Sequence, residues 1–147
     1  MPEDLGALLA RATRRLIDAE RPLLDAHGLS MWAYVALTLL ARGAAPTQLA
    51  LAEEMGYDKT RLIKLLDGLE AEGLITRRPD PADRRAKVVE LTADGHARHA
   101  AAVADIRAME EELLAGLDAG ERQIFLTVLS GLASPPSGRS AGASSAS

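Results

Sequence analysis

Two groups of side chains in and just before the stretch DKTRLIKLLDGLEAEGLITRRPDPADRRAKVVELT, residues 58–92, have the types and spacing to hold a polyanion. Tyr57, Thr60, Arg61, Lys64 and Gly68 recur at three- and four-residue intervals, with Lys59 beside them, so a helix here presents them on one face. Leu62, Leu65, Leu66 and Leu69 fall on the opposite face and can pack inward. The second group, Arg77, Arg78, Arg84, Arg85 and Lys87, brackets the turn sequence Pro79-Asp80-Pro81-Ala82-Asp83. Arginine bonds guanine O6 and N7 in bidentate fashion, and lysine and threonine suit bases or phosphates. A narrow minor groove attracts inserted arginine. A helix for the major groove and a basic hairpin tip for the minor groove point to sequence-specific binding of double-stranded DNA. Asp83 is a poor DNA neighbour by charge. It is expected to hold an arginine or a backbone amide and so stiffen the tip.

These groups need a scaffold, and the rest of the sequence supplies one. Leu5, Leu8, Leu9, Ala12, Leu16, Ala19 and Leu23 form a helical stripe over residues 3–26, with Pro22 expected to kink or shorten it. Ser30 can cap a second helix, 31–42, with Trp32, Val35, Ala36, Leu39 and Leu40 as its apolar face. Thr47 can cap a short third, 48–55. After Gly56-Tyr57, Asp58 can cap a fourth that stops at Gly73. Two helices joined by a short glycine-containing turn make a helix-turn-helix. Leu74–Arg78 and Ala86–Leu91 read as a two-stranded hairpin, and Thr92 caps a long fifth helix, 93–116. Asp118 and Glu121 have capping-box spacing for a sixth. The expected fold is mainly α: a winged helix-turn-helix over 31–92, flanked by helices 3–26 and 93–133, in one domain of residues 1–133. Residues 134–147, SPPSGRSAGASSAS, can bury nothing and are expected to be disordered.

Composition narrows the alternatives. With 48% hydrophobic but only 3% aromatic residues, the core must be built from Leu, Ala, Val and Ile. No cysteine is present, which excludes disulfides, zinc–thiolate sites and thiol redox sensing. No phosphate-cradling glycine loop or Ser/His/Asp set is evident, so an enzyme is not expected. No apolar run approaches the roughly 20 residues of a membrane span. A cytoplasmic protein with no membrane partner is the expectation. The net charge of −4 argues against DNA if read globally. The imbalance is local, however: residues 58–91 carry eight bases and seven acids, and the acidic excess lies elsewhere. A helical protein-interaction module, such as an anti-activator with a degenerate DNA face, is the competing class. His96 and His99 stand three residues apart and could share a metal with Asp94, but without a closed ligand set no metal or cofactor is expected.

The segments LDGLEAEGLITRR and DPADRRAKVVELTADG, with the helix order before them, make residues 5–133 resemble the multiple antibiotic resistance regulator (MarR) family of bacterial winged-helix repressors. The resemblance implies a homodimer whose core is formed by the first, fifth and sixth helices of both copies. It implies recognition-helix contacts from Thr60, Arg61 and Lys64 and minor-groove contact from Arg84 or Arg85, with Asp83 orienting a wing arginine. The whole expected DNA surface comprises Tyr57, Lys59, Thr60, Arg61, Lys64, Arg78, Asp83, Arg84, Arg85 and Lys87. A two-fold dimer would meet a pseudo-palindromic operator with half-sites roughly 34 Å apart. The resemblance also implies a small aromatic or phenolic effector in a crevice near Arg15, His27, Met31 and Trp32. For each of these the plainer role, core for Met31 and Trp32 and solvated surface for Arg15, has the stronger claim. Cysteine-based peroxide sensing, used by one branch of the family, is impossible here.

Overall fold

A computed structural model describes residues 3–43 and 45–136. Its elements are α1 (Leu5–Ala26), α2 (Met31–Leu40), α3 (Gln48–Met55), α4 (Lys59–Ala71), β1 (Ile75–Pro79), β2 (Lys87–Leu91), α5 (Ala93–Leu113) and α6 (Ala119–Ala133). The expected tail lies mostly outside the described residues. By its contacts the chain divides into two compact units, Met1–Glu110 and Glu111–Ser147. Among the described residues no single helix is long and apolar enough to cross a membrane.

Side-chain caps set the helix starts in the first unit. Ser30 accepts from the Ala33 amide at 3.1 Å, Thr47 from Ala50 at 3.1 Å and Asp58 from Arg61 at 2.9 Å. Each oxygen satisfies one of the four amides that a helix start leaves without a partner. Pro22 lies inside α1 without ending it before Ala26. The second helix stops at Leu40, two residues short of the expected end. α3 closes at Gly56, whose φ of 61° is a conformation that favours glycine.

Leu37, Leu51, Leu62, Leu66, Leu74, Ile75 and Val89 are almost fully buried and form the centre of this unit. Each such side chain contributes about 1.5–3 kcal/mol through burial. The α2 face differs from expectation: Ala33, Ala36, Leu37 and Leu40 turn inward, and Trp32 stays 42% exposed. The sequence MWAYVALTLL is apolar almost all round, so periodicity could not choose its buried side.

β1 and β2 pair antiparallel with Ile75 opposite Leu91 and Arg77 opposite Val89. Thr92 locks the hairpin base: its hydroxyl donates to the Gly73 carbonyl at 2.6 Å and accepts from the Gly95 amide at 3.0 Å. Gly95 is required there, because a Cβ would stand 2.0 Å from the Leu74 carbonyl oxygen. The hairpin also joins the helix-turn-helix, with the Val89 amide donating to the Pro46 carbonyl at 2.9 Å and a bridge between Thr47 and Val88.

In the second unit Asp118 and Glu121 complete the capping box at 2.8 and 3.0 Å. Arg122 forks onto Glu111 with two contacts of 2.7 Å. None of the α6 side chains is buried, and Ile124, Phe125, Val128 and Leu132 are among its exposed apolar residues.

Candidate nucleic-acid interface

α4 separates its two faces as its spacing predicts. Leu62, Leu66 and Leu69 are buried, while Lys59, Thr60, Arg61, Lys64 and Gly68 are exposed. A Cβ on Gly68 would meet nothing within 4 Å, so this face is open to a close partner. Asp58 caps the helix, placing Thr60, Arg61 and Lys64 in its first two turns.

The wing turn is held by its own aspartates. Asp80 accepts from the Ala82 amide and Asp83 from the Arg85 amide, both at 3.0 Å. These are local side-chain-to-backbone turns, the chemistry aspartate brings to such positions. Of the two roles open to Asp83, the structure has the backbone one: its carboxylate holds the Arg85 amide and not a guanidinium. Arg84 and Arg85 are exposed. Among the described residues no ion pair or side-chain hydrogen bond engages either guanidinium, that of Arg61, or the ammonium groups of Lys59, Lys64 and Lys87, though Lys87 helps lower the Glu70 pKa through space.

The arginines at the wing base behave differently. The Arg77 guanidinium reaches Asp67 at 2.6 Å, Glu70 at 3.0 Å and the Gln48 side-chain oxygen at 3.1 Å. Its side chain is only 11% exposed. These bonds hold the Glu70 carboxyl below its ordinary range and raise Arg77. Arg78 reaches diagonally across the hairpin to Glu90, at 2.6 Å, on the exposed side. Arg77 thus ties the wing to α3 and α4, and Arg78 already has a carboxylate partner.

The fold brings Lys59, Asp83, Arg85 and Lys87 together around a cleft of about 210 Å³, with Thr47, Gln48 and Leu49 from the start of α3 as the opposite wall. The cleft has three cations to one carboxylate and suits an oxyanion. Gln48 and Leu49 were not anticipated as members of this surface. Their place follows from the Pro46 and Thr47 contacts with β2, which join residues some forty positions apart and leave no local signature. Tyr57 does not stand beside Thr60 and Arg61 as a free phenol; it is half-buried and stacked on Trp32 with ring centroids 4.4 Å apart.

The 210 Å³ cleft contains none of the four effector candidates, and neither does a second one of about 230 Å³ lined by Leu40, Val89, Leu91 and His96. Arg15 is exposed, Met31 packs on the core, and His27 Nε2 lies 2.6 Å from Asp105 Oδ2, tying the end of α1 to α5. No group of three or more His, Asp or Glu among the described residues is placed to hold a metal. His99 instead contacts the Thr38 hydroxyl at 3.0 Å. That hydroxyl spends its one proton on the Tyr34 carbonyl, so His99 Nε2–H is the donor. Burial and the neighbouring His96 lower the His99 pKa.

Residues 27–86 match the family model described as MarR family. The transcriptional regulator HosA of Escherichia coli O111:H- is 33% identical over 96 residues, 65% of this chain and 71% of HosA. The chain belongs to the MarR family. Its relatives include solved structures of the same fold. The transcriptional repressor CouR bound to a 23-mer DNA duplex superposes with a TM-score of 0.78 at 28% identity, covering 89% of this chain and 93% of that one. CouR from Rhodococcus jostii RHA1 bound to p-coumaroyl-CoA gives 0.77 at 26% identity, covering 93% and 96%. These relatives are described as transcriptional regulators, not as enzymes. Within this MarR-family chain the matched segment begins just after α1 and spans α2, the helix-turn-helix, β1 and the wing tip, and it contains Lys59, Arg61, Lys64, Arg84 and Arg85.

Proposed function

We propose that this MarR-family regulator is a homodimeric repressor that reads a pseudo-palindromic operator through α4 and the wing. The observation that carries this reading is the set of cations on the DNA-facing elements that lack internal partners. Thr60, Arg61 and Lys64 face the major groove, Arg84 and Arg85 face the minor groove, and Lys59 and Lys87 flank a phosphate at the cleft between them. Tyr57 and Asp83 support this surface, and Arg78 borders it with its guanidinium paired to Glu90. The winged helix 31–92 does the reading, and helices 3–26 and 93–133 pair with a second copy. Leu5, Leu8 and Leu9 on α1, and separately the apolar side chains of α6, are exposed in the single chain and support that pairing. CouR is a repressor seen with DNA and with an aromatic thioester, and this supports a small aromatic effector that relieves binding here.

The test is a binding assay with a randomised duplex pool and with the gene's upstream DNA, repeated across salt concentrations. The expected result is enrichment of a palindromic subset, with log affinity falling linearly in log salt. Weak, salt-erased binding without enrichment would return the anti-activator reading to first place. Leu113→Asp should yield monomers that have lost operator binding, measured by light scattering and the same assay. Trp32, the only tryptophan, offers its emission as the readout for a panel of phenolic acids.

A further inference from the structure

The indole of Trp32, the second residue of α2, remains 42% exposed, yet it stacks on Tyr57 with centroids 4.4 Å apart and planes inclined by 30°. That geometry is a favourable tilted aromatic contact. Tyr57 sits between Gly56, in the left-handed conformation, and Asp58, the cap of α4. Its amide donates to the Ala52 carbonyl at 3.0 Å, which ties the turn back to α3. Gly56 beside it makes no such tie: a Cβ there would meet nothing within 4 Å. The ring contact with α2 is therefore a lateral brace on the residue from which α4 springs.

We propose that Trp32 is a positioning residue for DNA reading, fixing the start of α4 through Tyr57. Hydrogen bonds to base edges tolerate misplacement of only about 0.5 Å. Lys64 lies seven residues beyond Tyr57, about 10 Å along the helix axis. A tilt of about 3° at the turn moves it by that tolerance. Phosphate attraction falls off over about 10 Å at moderate salt and does not register such a shift. Loss of the brace must therefore erode discrimination between sequences while leaving non-specific binding alone.

Resting as it does on the DNA-binding reading, this inference is tested with the full chain, a duplex enriched from the randomised pool and a scrambled duplex of equal length. Trp32→Ala should bind the enriched duplex about three- to tenfold more weakly. Its affinity for the scrambled duplex and its salt slope should stay at wild-type values, and its melting temperature should fall by no more than about a few degrees. Trp32→Phe, which keeps a ring, should restore most of the discrimination. If Trp32→Ala does not fold, Trp32→Leu keeps apolar bulk, removes the stack and carries the same test. A wild-type preference that survives removal of the ring, or a loss equal on both duplexes, overturns the inference alone. A wild-type chain with no preference, and no response to Arg84→Ala, overturns the regulator reading and this role with it.

Discussion

The wing carries two arginine pairs seven residues apart, Arg77-Arg78 at its base and Arg84-Arg85 at its tip, and the fold treats them in opposite ways. At the base, Asp67, Glu70 and Gln48 take up Arg77, and Glu90 takes up Arg78. At the tip, the nearest carboxylate, Asp83, spends an oxygen on the Arg85 backbone amide. Charge counting assigns all four to one basic patch. The structure shows that only the tip pair has no protein partner to give up when a polyanion arrives. Arg77 contributes rigidity: it fixes the hairpin against α3 and α4, so that the tip is carried at a set distance from the recognition face. A charge already neutralised inside the protein adds little to steering and releases few counterions from DNA.

The sharpest way to break this contrast is to remove the tip. The double substitution Arg84→Ala/Arg85→Ala should weaken operator binding on the order of 100-fold and flatten its salt slope, with the melting temperature unchanged. Titrations by fluorescence anisotropy and thermal unfolding read both quantities. A double variant that binds as wild type ends the claim that the unpaired arginines engage DNA.

Arg77→Met should do the reverse. It keeps the apolar stem, removes the polar contacts with Asp67, Glu70 and Gln48 and should lower stability by about 1 kcal/mol, since both carboxylates retain access to water. The salt slope of DNA binding should stay as it is. The variant also predicts a pH signature. Glu70 has its folded pKa below the ordinary value of 4.5, chiefly through the Arg77 hydrogen bond. A depressed carboxyl contributes stability that is complete above 4.5 and fades as the pH falls from there through the folded pKa. Acid unfolding of Arg77→Met should lose this part of the slope, and an unchanged acid profile would show that Arg77 does not stabilise the ionised Glu70.

How much of this could be read from the sequence depends on whether the deciding contacts are local. The faces of α4, the Ser30, Thr47, Asp58 and Asp118 caps and the hairpin follow from short-range spacing, and all appear in the structure. Arg77 had a signal that charge counting overlooks. It lies two residues from buried Ile75, on the inward side of a strand, and Asp67 and Glu70 are one helical turn apart on α4. Trp32 had no such signal, because a helix apolar on every side does not announce which side is buried. The cleft between the start of α3 and the wing was likewise hidden, since it depends on a bridge between Thr47 and Val88.

Arg78 is the finest test of the contrast, because it belongs to the base pair by sequence but points outward. Its contact with Glu90 joins side chains that are 52% and 44% exposed, and exposed pairs of this kind contribute about 0.2–1 kcal/mol. DNA phosphates could therefore compete for the guanidinium at small cost. If the internal pair holds in the complex, Arg78→Ala should weaken operator binding less than about threefold. Glu90→Ala, which frees the guanidinium, should then strengthen binding by a similar factor, most visibly at low salt. If Arg78→Ala instead loses as much as a single tip substitution, the pair opens on DNA. The boundary between the two regions then lies between Arg77 and Arg78, and Arg77 alone marks the structural side.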